Sequence, residues 1–249
     1  MTIDKSSDRV RRMFGEIAGR YDFLNRLLSM GVDRRWRRRT VKLVPPDGDA
    51  PILDVCCGTA DLALEYWRKS NDKTYVVGTD FCLPMLEIGR EKCRRAEADC
   101  LAVAGTAASR RAGISLIEAD TLNLPFPDNT FQIVSVAFGL RNLADTDAGL
   151  IEMVRVCRPG GRVAVLEFTI PTAWPLGPLY GWYFHRVLPR IGQALARNSQ
   201  EAYNYLPSSV EQFPQGKALA ERMRAVGLAE VELHRFTWGV ATLYVGKKR

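Results

Sequence analysis

The stretch from Ile52 to Asp61 constrains the fold more than any other part of this 249-residue chain. Ile52 to Val55 is a short apolar run that contains one acid, Asp54, and follows Pro51, which predicts a buried parallel strand. After a loop of small residues, Asp61 precedes an apolar-periodic segment, so we predict that Asp61 caps a helix. A strand, a tight loop and a helix in this order indicate a doubly wound α/β fold.

The loop after this strand lies where doubly wound folds bind a nucleotide-like ligand. A dinucleotide requires Gly-x-Gly-x-x-Gly there, so that backbone can approach a pyrophosphate, but this loop holds only Gly58. The acid Asp54 repels phosphate and suits a cation, which favours S-adenosylmethionine, whose methionine end Thr59 can hydrogen-bond. We therefore predict Asp54, Gly58 and Thr59 as cofactor-binding residues, with an NAD-dependent oxidoreductase as a weaker alternative.

A second predicted strand begins at Tyr75 and ends at Asp80, twenty-six residues after Asp54. A carboxylate at this place can accept hydrogen bonds from both ribose hydroxyls of an adenosine, and NAD enzymes also carry an acid there. The alternative is that Asp80 only caps the helix that begins near Leu83. Because the loop after the first strand favours a ligand, we prefer the ribose site.

Two further strands have candidate site residues at their carboxyl ends. The third, Ile114 to Glu118, leads to Asp120, which can accept the adenine amino group or can be a turn residue. The fourth, Phe131 to Val136, leads to Arg141 and Asn142. In this architecture the end of the fourth strand faces the reacting atoms, so we expect this arginine and this amide to be catalytic.

The net charge of +7 is concentrated at one end of the chain. Residues 1–45 hold twelve Lys or Arg and five Asp or Glu, and they are predicted to form three helices, at 10–21, at 22–30 and after Asp33. The third helix carries five arginines around Trp36. Such helices can cover the core, or they can bind an anionic partner, either nucleic acid or a membrane surface.

Several function classes are disfavoured by composition. Residues 1–12 lack the apolar segment of a signal peptide, and no run of about 18 apolar residues is present, so we expect a soluble cytoplasmic protein. The six cysteines include no Cys-x-x-Cys, and only two histidines occur, so neither a metal site nor a disulfide framework is predicted.

The remaining regular elements complete an α/β domain. Asp145 is predicted to cap a helix that leads to a fifth strand at 162–168. Residues 168–184 are uncharged and rich in aromatic side chains, which indicates either a cover over an apolar substrate pocket or ordinary packing. A helix at 217–226 and strands at 231–236 and 240–245 follow.

Five motifs that span most of the chain resemble those of the C-methyltransferases of ubiquinone and menaquinone biosynthesis. The motifs are Phe14 to Asp22, Leu53 to Asp61, Leu124 to Asn129, Phe138 to Asn142, and His185 with residues 188–192. The resemblance implies a Rossmann-like class I methyltransferase fold, with a mostly parallel seven-stranded sheet, an antiparallel last strand and extra N-terminal helices. It implies one domain, with an N-terminal basic cover (1–45), a cofactor-binding core (46–168), an aromatic substrate cover (169–214) and a C-terminal part (215–249).

The resemblance also implies roles for individual residues. S-adenosylmethionine is expected at Thr59, Asp80, Asp120 and Thr121. Arg141 is expected to stabilise the phenolate that develops on a quinol, directly or through water, while Asn142 and Tyr21 orient that water. His185 is the alternative base, or it is simply packed.

The loop from Cys56 to Asp61 resembles the menaquinone branch of the family, so we expect demethylmenaquinol as the substrate. The alternative substrate is a benzoquinol of the ubiquinone pathway or another small phenol. A prenylated substrate implies transient contact with an anionic membrane surface at the inner face of the cell membrane, and a homodimer is possible. Competing hypotheses are an RNA methyltransferase and a cofactor-binding protein without activity.

Overall fold

The computed structural model describes residues 6–29, 31–70, 73–104, 112–171, 186 and 200–249, and in them helices flank a seven-stranded sheet. The strands are β1 Ile52–Val55, β2 Val76–Asp80, β3 Ile114–Glu118, β4 Phe131–Ala137, β5 Cys157–Phe168, β6 Leu228–Phe236 and β7 Ala241–Lys248. The helices are α1 Ser7–Leu28, α2 Val32–Leu43, α3 Asp61–Lys69, α4 Leu83–Ala104, α5 Thr146–Val156, α6 Gln200–Gln212 and α7 Lys217–Ala225. Two short 3-10 helices cover Leu140–Asn142 and Thr237–Gly239.

The strand order is β3-β2-β1-β4-β5-β7-β6, and strands β1 to β5 pair in parallel. Strand β7 lies between β5 and β6 and is antiparallel to both. The predicted fold class, a mostly parallel seven-stranded sheet with an antiparallel last strand, is therefore confirmed. All five parallel strands end at the same edge of the sheet, and the loops that follow them meet there.

Two apolar clusters cover the two faces of the sheet. Side chains alternate along a strand, so Leu53 belongs to one cluster and its neighbour Ile52 to the other. The first cluster includes Met153 of α5 and Met223 of α7, whereas the second includes residues of α2, α3 and α4. Because both faces are covered, β1 and β2 are buried along their whole length, as their continuous apolar runs predict.

The predicted break between the first two helices is wrong, because α1 runs without interruption from Ser7 to Leu28. Asp22 does not begin a second helix: its carboxylate accepts hydrogen bonds from Thr59 and Lys92 across the fold. The chain turns only at Gly31, whose φ of 73° is readily available to glycine.

Asp61 does not cap α3 either. Ala60, with φ 66°, occupies the capping position without a side-chain hydrogen bond, and Asp61 is the first residue of the helix. The carboxylate of Asp61 instead pairs with Lys92 and, at 3.7 Å, with Arg37. Asp145, by contrast, caps α5 as predicted and accepts hydrogen bonds from the backbone amides of residues 147 and 148.

Other element bounds differ at their ends. Strand β5 begins at Cys157 instead of Arg162, because Cys157 already pairs with Phe131 of β4. An irregularity that includes Gly160 follows, and regular pairing with β4 resumes at Arg162. Helix α4 extends to Ala104, and β6 and β7 are longer than predicted. Residues 172–185 and 187–199, more than half of the predicted aromatic cover at 169–214, lie outside the described residues. In the described part of the chain, no helix is long and apolar enough to span a membrane.

Candidate functional site

A cleft opens at the carboxyl edge of the sheet, between the loops that follow β1 to β4. Its empty volume is about 670 Å³, counting the space that is open to solvent. Helix α1 contributes Phe14 and Tyr21 to its wall and so covers one side of it. The cleft lies where an α/β sheet of this order binds its ligand.

The loop after β1 forms the floor of the cleft. Cys56, Gly58 and Ala60 all have positive φ values, of 50°, 54° and 66°, so the chain turns tightly between the strand and α3. This turn aims the backbone N–H of Gly58 at Asp80, with a distance of 2.8 Å to Oδ2. Across the cleft, a Cβ added to Gly58 would lie 3.9 Å from the Tyr21 ring.

The carboxylate of Asp80 lies at the end of β2 and lines the cleft. Besides the Gly58 bond, its Oδ1 accepts the backbone N–H of Cys82 at 2.9 Å. Burial raises the pKa of Asp80, although backbone hydrogen bonds oppose the rise. No ion pair to Asp80 occurs among the described residues, and the backbone hydrogen bonds from Gly58, Phe81 and Cys82 leave the carboxylate with further acceptor capacity. A buried carboxylate without a cation suits two ribose hydroxyls, so this site fits the adenosine of S-adenosylmethionine.

Asp120 and Thr121, which follow β3, also line the cleft. Asp120 is exposed, and its Oδ1 accepts the backbone N–H of Leu122 at 2.9 Å. Asp120 is thus a turn residue, and its other carboxylate oxygen accepts no hydrogen bond from the described residues. Thr121 is buried, with its hydroxyl 3.4 Å from the thiol of Cys56. Burial raises the pKa of Cys56, which keeps this thiol protonated.

The 3-10 turn after β4 forms the wall opposite Asp120. Phe138 and Asn142 both line the cleft, and Asn142 Nδ2 donates to the Phe138 carbonyl at 3.4 Å. Asn142 Oδ1 is buried and has no hydrogen-bond partner. A buried acceptor without a partner is costly, which makes Asn142 a candidate to accept a hydrogen bond from a ligand.

Tyr21, on α1, brings a hydroxyl group to the wall of the cleft. Burial raises the pKa of its hydroxyl, and a hydrogen bond with Asn25 and the nearby charges of Arg37 and Arg141 oppose the rise. The hydroxyl is therefore protonated at neutral pH and is able to donate a hydrogen bond.

Arg141 is not part of the cleft wall. Its Nη1 donates to Glu167 Oε1 at 2.6 Å and to the Phe138 carbonyl, and its Nε donates to Ser209 at 3.3 Å. Its guanidinium carbon also lies 5.4 Å from the centre of the Phe168 ring. The side chain is buried, so Arg141 holds the 3-10 turn against β5 and α6.

Asp54 and Thr59 also lie behind the cleft. Asp54 is buried in β1, where Ser135 donates to its Oδ1 at 2.8 Å, and burial raises its pKa to about 7. Thr59 donates to Asp22 Oδ1 at 2.6 Å and accepts from Lys92 at 3.0 Å.

The structure thus brings six of the ten predicted site residues to one cleft: Tyr21, Gly58, Asp80, Asp120, Thr121 and Asn142. Arg141, Asp54 and Thr59 support the walls, and His185 lies outside the described residues. Sequence reasoning missed the partners that fix these supports, Glu167, Ser135 and Lys92. Asp22 stood in a quoted motif, but nothing in the sequence linked it to Lys92, seventy residues away.

Comparisons with protein families and with individual known proteins agree with one another. Residues 2–248 match the family model of the ubiE/COQ5 methyltransferase family. The ubiquinone/menaquinone biosynthesis C-methyltransferase UbiE of Geobacter sulfurreducens is 42% identical over 246 residues, covering 99% of this chain and 91% of the relative. The demethylmenaquinone methyltransferase of Thermus thermophilus is 47% identical over 236 residues, covering 95% of this chain and all of the relative.

Among solved structures, a methyltransferase of Thermotoga maritima, described as S-adenosylmethionine-dependent and possibly a histamine N-methyltransferase, superposes with a TM-score of 0.65. It shares 16% identity, and the match covers 96% of this chain and all of that one, which supports the fold. The family model and the relatives cover nearly the whole chain and confirm the predicted resemblance. The chain belongs to the ubiE/COQ5 methyltransferase family, and it is an α/β methyltransferase whose cofactor is S-adenosylmethionine.

Proposed function

We propose that this enzyme methylates a ring carbon of demethylmenaquinol and so produces menaquinol. One observation carries the proposal: a single cleft joins the ribose acceptor Asp80 to a polar pair, Tyr21 and Asn142, through an apolar wall. Phe14 and Phe138 belong to that wall and suit a flat aromatic ring. The relatives named above support the same class of substrate, because one is named for ubiquinone/menaquinone biosynthesis and the other for demethylmenaquinone.

The cofactor is assigned to the Asp80 side of the cleft. Asp80 accepts the ribose hydroxyls, Gly58 leaves room beside the loop after β1, and Asp120 and Thr121 face the adenine. Bound S-adenosylmethionine supplies a methyl group on a positively charged sulfur. Asp54 and Thr59 lie behind the cleft, where they fix the shape of the loop after β1 without contacting the ligand.

The quinol is assigned to the side of Tyr21 and Asn142. The ring carbon becomes nucleophilic as the adjacent hydroxyl loses its proton, so the enzyme must orient that hydroxyl and stabilise the phenolate. Asn142 Oδ1 accepts the hydrogen bond of the substrate hydroxyl, and the Tyr21 hydroxyl donates to the oxygen as its charge develops. The proton leaves to water or to His185, which remains the alternative base.

Arg141 acts through the residues that it holds. Its bond to the Phe138 carbonyl and its ion pair with Glu167 fix the 3-10 turn that carries Asn142. Its positive charge also lowers the pKa of Tyr21, which favours donation to a phenolate. We therefore assign Arg141 a positioning and electrostatic role instead of direct contact with the quinol.

Demethylmenaquinol is preferred over a benzoquinol of the ubiquinone pathway because the loop from Cys56 to Asp61 resembles the menaquinone branch. The relative from Thermus thermophilus, at 47% identity, carries the name demethylmenaquinone methyltransferase, whereas that from Geobacter sulfurreducens is named for both quinones. A prenylated quinol resides in a membrane, so we place the enzyme in the cytoplasm with transient contact at the inner face of the membrane.

The test is methyl transfer from labelled S-adenosylmethionine to a short-chain demethylmenaquinol that is kept reduced, with the corresponding benzoquinol in parallel. We expect faster transfer to the naphthoquinol and loss of transfer in Asp80→Asn and Asn142→Ala. Asp99→Ala, which changes an exposed acid on α4, is the control that should retain activity. Preference for the benzoquinol, or no transfer to either while the cofactor binds, would overturn the proposal.

A further inference from the structure

The outer face of α2 carries five cations that point away from the core. Asp33, Trp36, Arg37, Thr40 and Val41 form the buried face of this helix, which leaves the other side to cationic residues. The exposed cations are Arg34, Arg35, Arg38, Arg39 and Lys42. Only Arg38 has an acidic neighbour within the described residues, Glu65 at 3.9 Å. This face therefore retains most of its positive charge for a partner.

The turn between β6 and β7 lies against the same helix. Trp36 Nε1 donates to the Thr237 hydroxyl at 2.8 Å, and the guanidinium of Arg39 stacks 4.8 Å from the centre of the Phe236 ring. Both residues that precede Trp238 are thus fixed to α2. Trp238 itself is 76% exposed, more than any other large apolar side chain that the structure describes.

The backbone holds this tryptophan outward. Thr237 and Trp238 both have positive φ values, of 45° and 54°, although neither is glycine. Residues other than glycine rarely adopt this backbone conformation. The contacts of the turn with α2 hold it in place, and the indole of Trp238 stays exposed. An exposed indole beside arginines is typical of a surface that enters the boundary between water and lipid.

Helix α2 packs, through its buried face, at the same edge of the fold as the cleft. Trp36 packs 6.0 Å from both Phe138 and Phe168, which mark the carboxyl ends of β4 and β5. Phe138 also lines the cleft. A second exposed aromatic, Phe23 at 59%, lies on α1 one residue after Asp22, which contacts the cleft loop. A partner bound to this edge would lie close to the cleft.

We propose that the outer face of α2 and Trp238 form a docking surface for an anionic lipid bilayer, with Trp238 inserted at the interface. Cations without partners bind acidic headgroups, and an indole anchors at headgroup depth. RNA could also neutralise the cations, but this surface offers one cationic helix face and the single exposed indole of Trp238, instead of the groove with several stacking platforms that tracks a nucleic acid. The proposal rests on the proposed function, because docking would present the cleft to a lipid-borne quinol.

The test is sedimentation of the full chain with vesicles of phosphatidylcholine, with and without about one third phosphatidylglycerol. Two double variants are compared: Arg34→Gln with Arg35→Gln on α2, and Arg94→Gln with Arg95→Gln on α4. All four arginines are exposed, and each double variant removes two positive charges from a net +7. We expect binding only to anionic vesicles, about fivefold weaker for each α2 arginine removed and nearly unchanged for the α4 pair.

Trp238 is tested in its own right. Brominated lipids should quench part of the tryptophan emission of the wild type, and Trp238→Phe should lose that quenched part. Vesicle binding that is weakened equally in both double variants would contradict the proposed docking surface. Quenching of the tryptophan emission that persists in Trp238→Phe would contradict it as well. A salt-sensitive complex with RNA in the absence of vesicle binding would also overturn it.

A separate assay distinguishes this proposal from the proposed function. Arg34, Arg35 and Trp238 do not line the cleft, so their variants should methylate a water-soluble short-chain quinol at the wild-type rate. They should be slower only with a long-chain quinol in vesicles. If neither the wild type nor any variant methylates a quinol, but vesicle binding follows the pattern above, the proposed function is wrong and the docking surface is still supported.

Discussion

Lys92 Nζ lies 2.9 Å from Asp22 Oδ2, and this ion pair joins α4 to α1, the helix that covers the cleft. The same ammonium donates to Thr59 at 3.0 Å and to Asp61. Both partners of the Asp22 ion pair are only about one fifth exposed. One cation thus connects the covering helix to the loop after β1 that forms the floor of the cofactor site.

Lys92→Met should weaken S-adenosylmethionine binding more than it slows methyl transfer at saturation. Removing the ammonium leaves the carboxylates of Asp22 and Asp61 close together without a cation, so α1 is held less firmly over the cleft. We expect a loss of about 1–3 kcal/mol in the free energy of unfolding, since charged hydrogen bonds are lost. Titration calorimetry and thermal melts measure the two effects, and Lys69→Met, an exposed lysine at the end of α3, is the control. Cofactor affinity equal to that of the wild type would contradict this account.

Asp80→Asn should abolish measurable cofactor binding at ordinary concentrations. The substitution keeps the shape of the side chain but removes the charge that strengthens its bonds to ribose, each worth about 1.5–3 kcal/mol. We therefore expect an affinity lower by roughly 100-fold or more. Equilibrium dialysis with labelled cofactor provides the measurement. The pH dependence is a second check: burial raises the pKa of Asp80, and the wild type should bind more tightly as the pH rises through that value.

Arg141→Gln and Glu167→Gln should each destabilise the fold strongly. Each leaves one buried charge without its partner, a change that costs about 3–5 kcal/mol. The double variant removes both charges, so it should be more stable than either single variant. Chemical denaturation of all four proteins completes the thermodynamic cycle. Single variants that unfold like the wild type would contradict the buried ion pair, and a double variant that equals the sum of both losses would show that the two residues do not interact.

Asn142→Ala should reduce kcat without reducing stability. The Oδ1 atom is buried and has no partner in the free enzyme, so its removal takes away an unsatisfied acceptor that costs about 1–3 kcal/mol. Melting temperature and steady-state kinetics, measured on the same preparation, separate the two effects. Retention of full kcat would exclude Asn142 from the reaction, and Asn123→Ala on the neighbouring loop is a control.

Asp54→Asn should flatten the pH dependence of stability. The pKa of Asp54 is raised from 3.8 to about 7 by burial, so the folded protein binds this proton more tightly than the unfolded chain. The stabilisation is complete below about pH 4 and is lost as the pH rises through about 7, with an amplitude on the order of 4 kcal/mol. Melting curves between pH 5 and 8 should show the variant gaining on the wild type with rising pH. Parallel curves would contradict a protonated Asp54.

The sheet could be predicted from sequence because its strands are continuous apolar runs between turn residues. Strand β3 has the predicted bounds, and Asp145 caps α5 as its position indicates. Predictions failed where a distant partner decides the local structure. Asp22 and Asp61 are typical helix-capping residues, yet Lys92 holds both carboxylates in the tertiary structure. A capping preference of about 1 kcal/mol does not outweigh such contacts.

The walls of the cleft were predictable for a related reason. Asp80, Asp120 and Asn142 follow the carboxyl ends of successive parallel strands, which topology brings to one place. The surroundings of Arg141 were not predictable, because its partners Glu167 and Ser209 lie 26 and 68 positions away in the sequence. An arginine near the reacting end of a sheet and an arginine in a buried ion pair look identical in sequence.

The hydrogen bond from Trp36 to Thr237 spans 201 residues, and it connects the second helix of the chain to its last hairpin. During synthesis α2 is made before β6 and β7, so the surface against which Trp36 packs is incomplete until these two strands have formed. Helix α2, which packs against Phe138 of the cleft wall through Trp36, therefore completes its contacts late. A chain that is truncated before the hairpin lacks this partner of Trp36, so α2 would be held less firmly against the sheet.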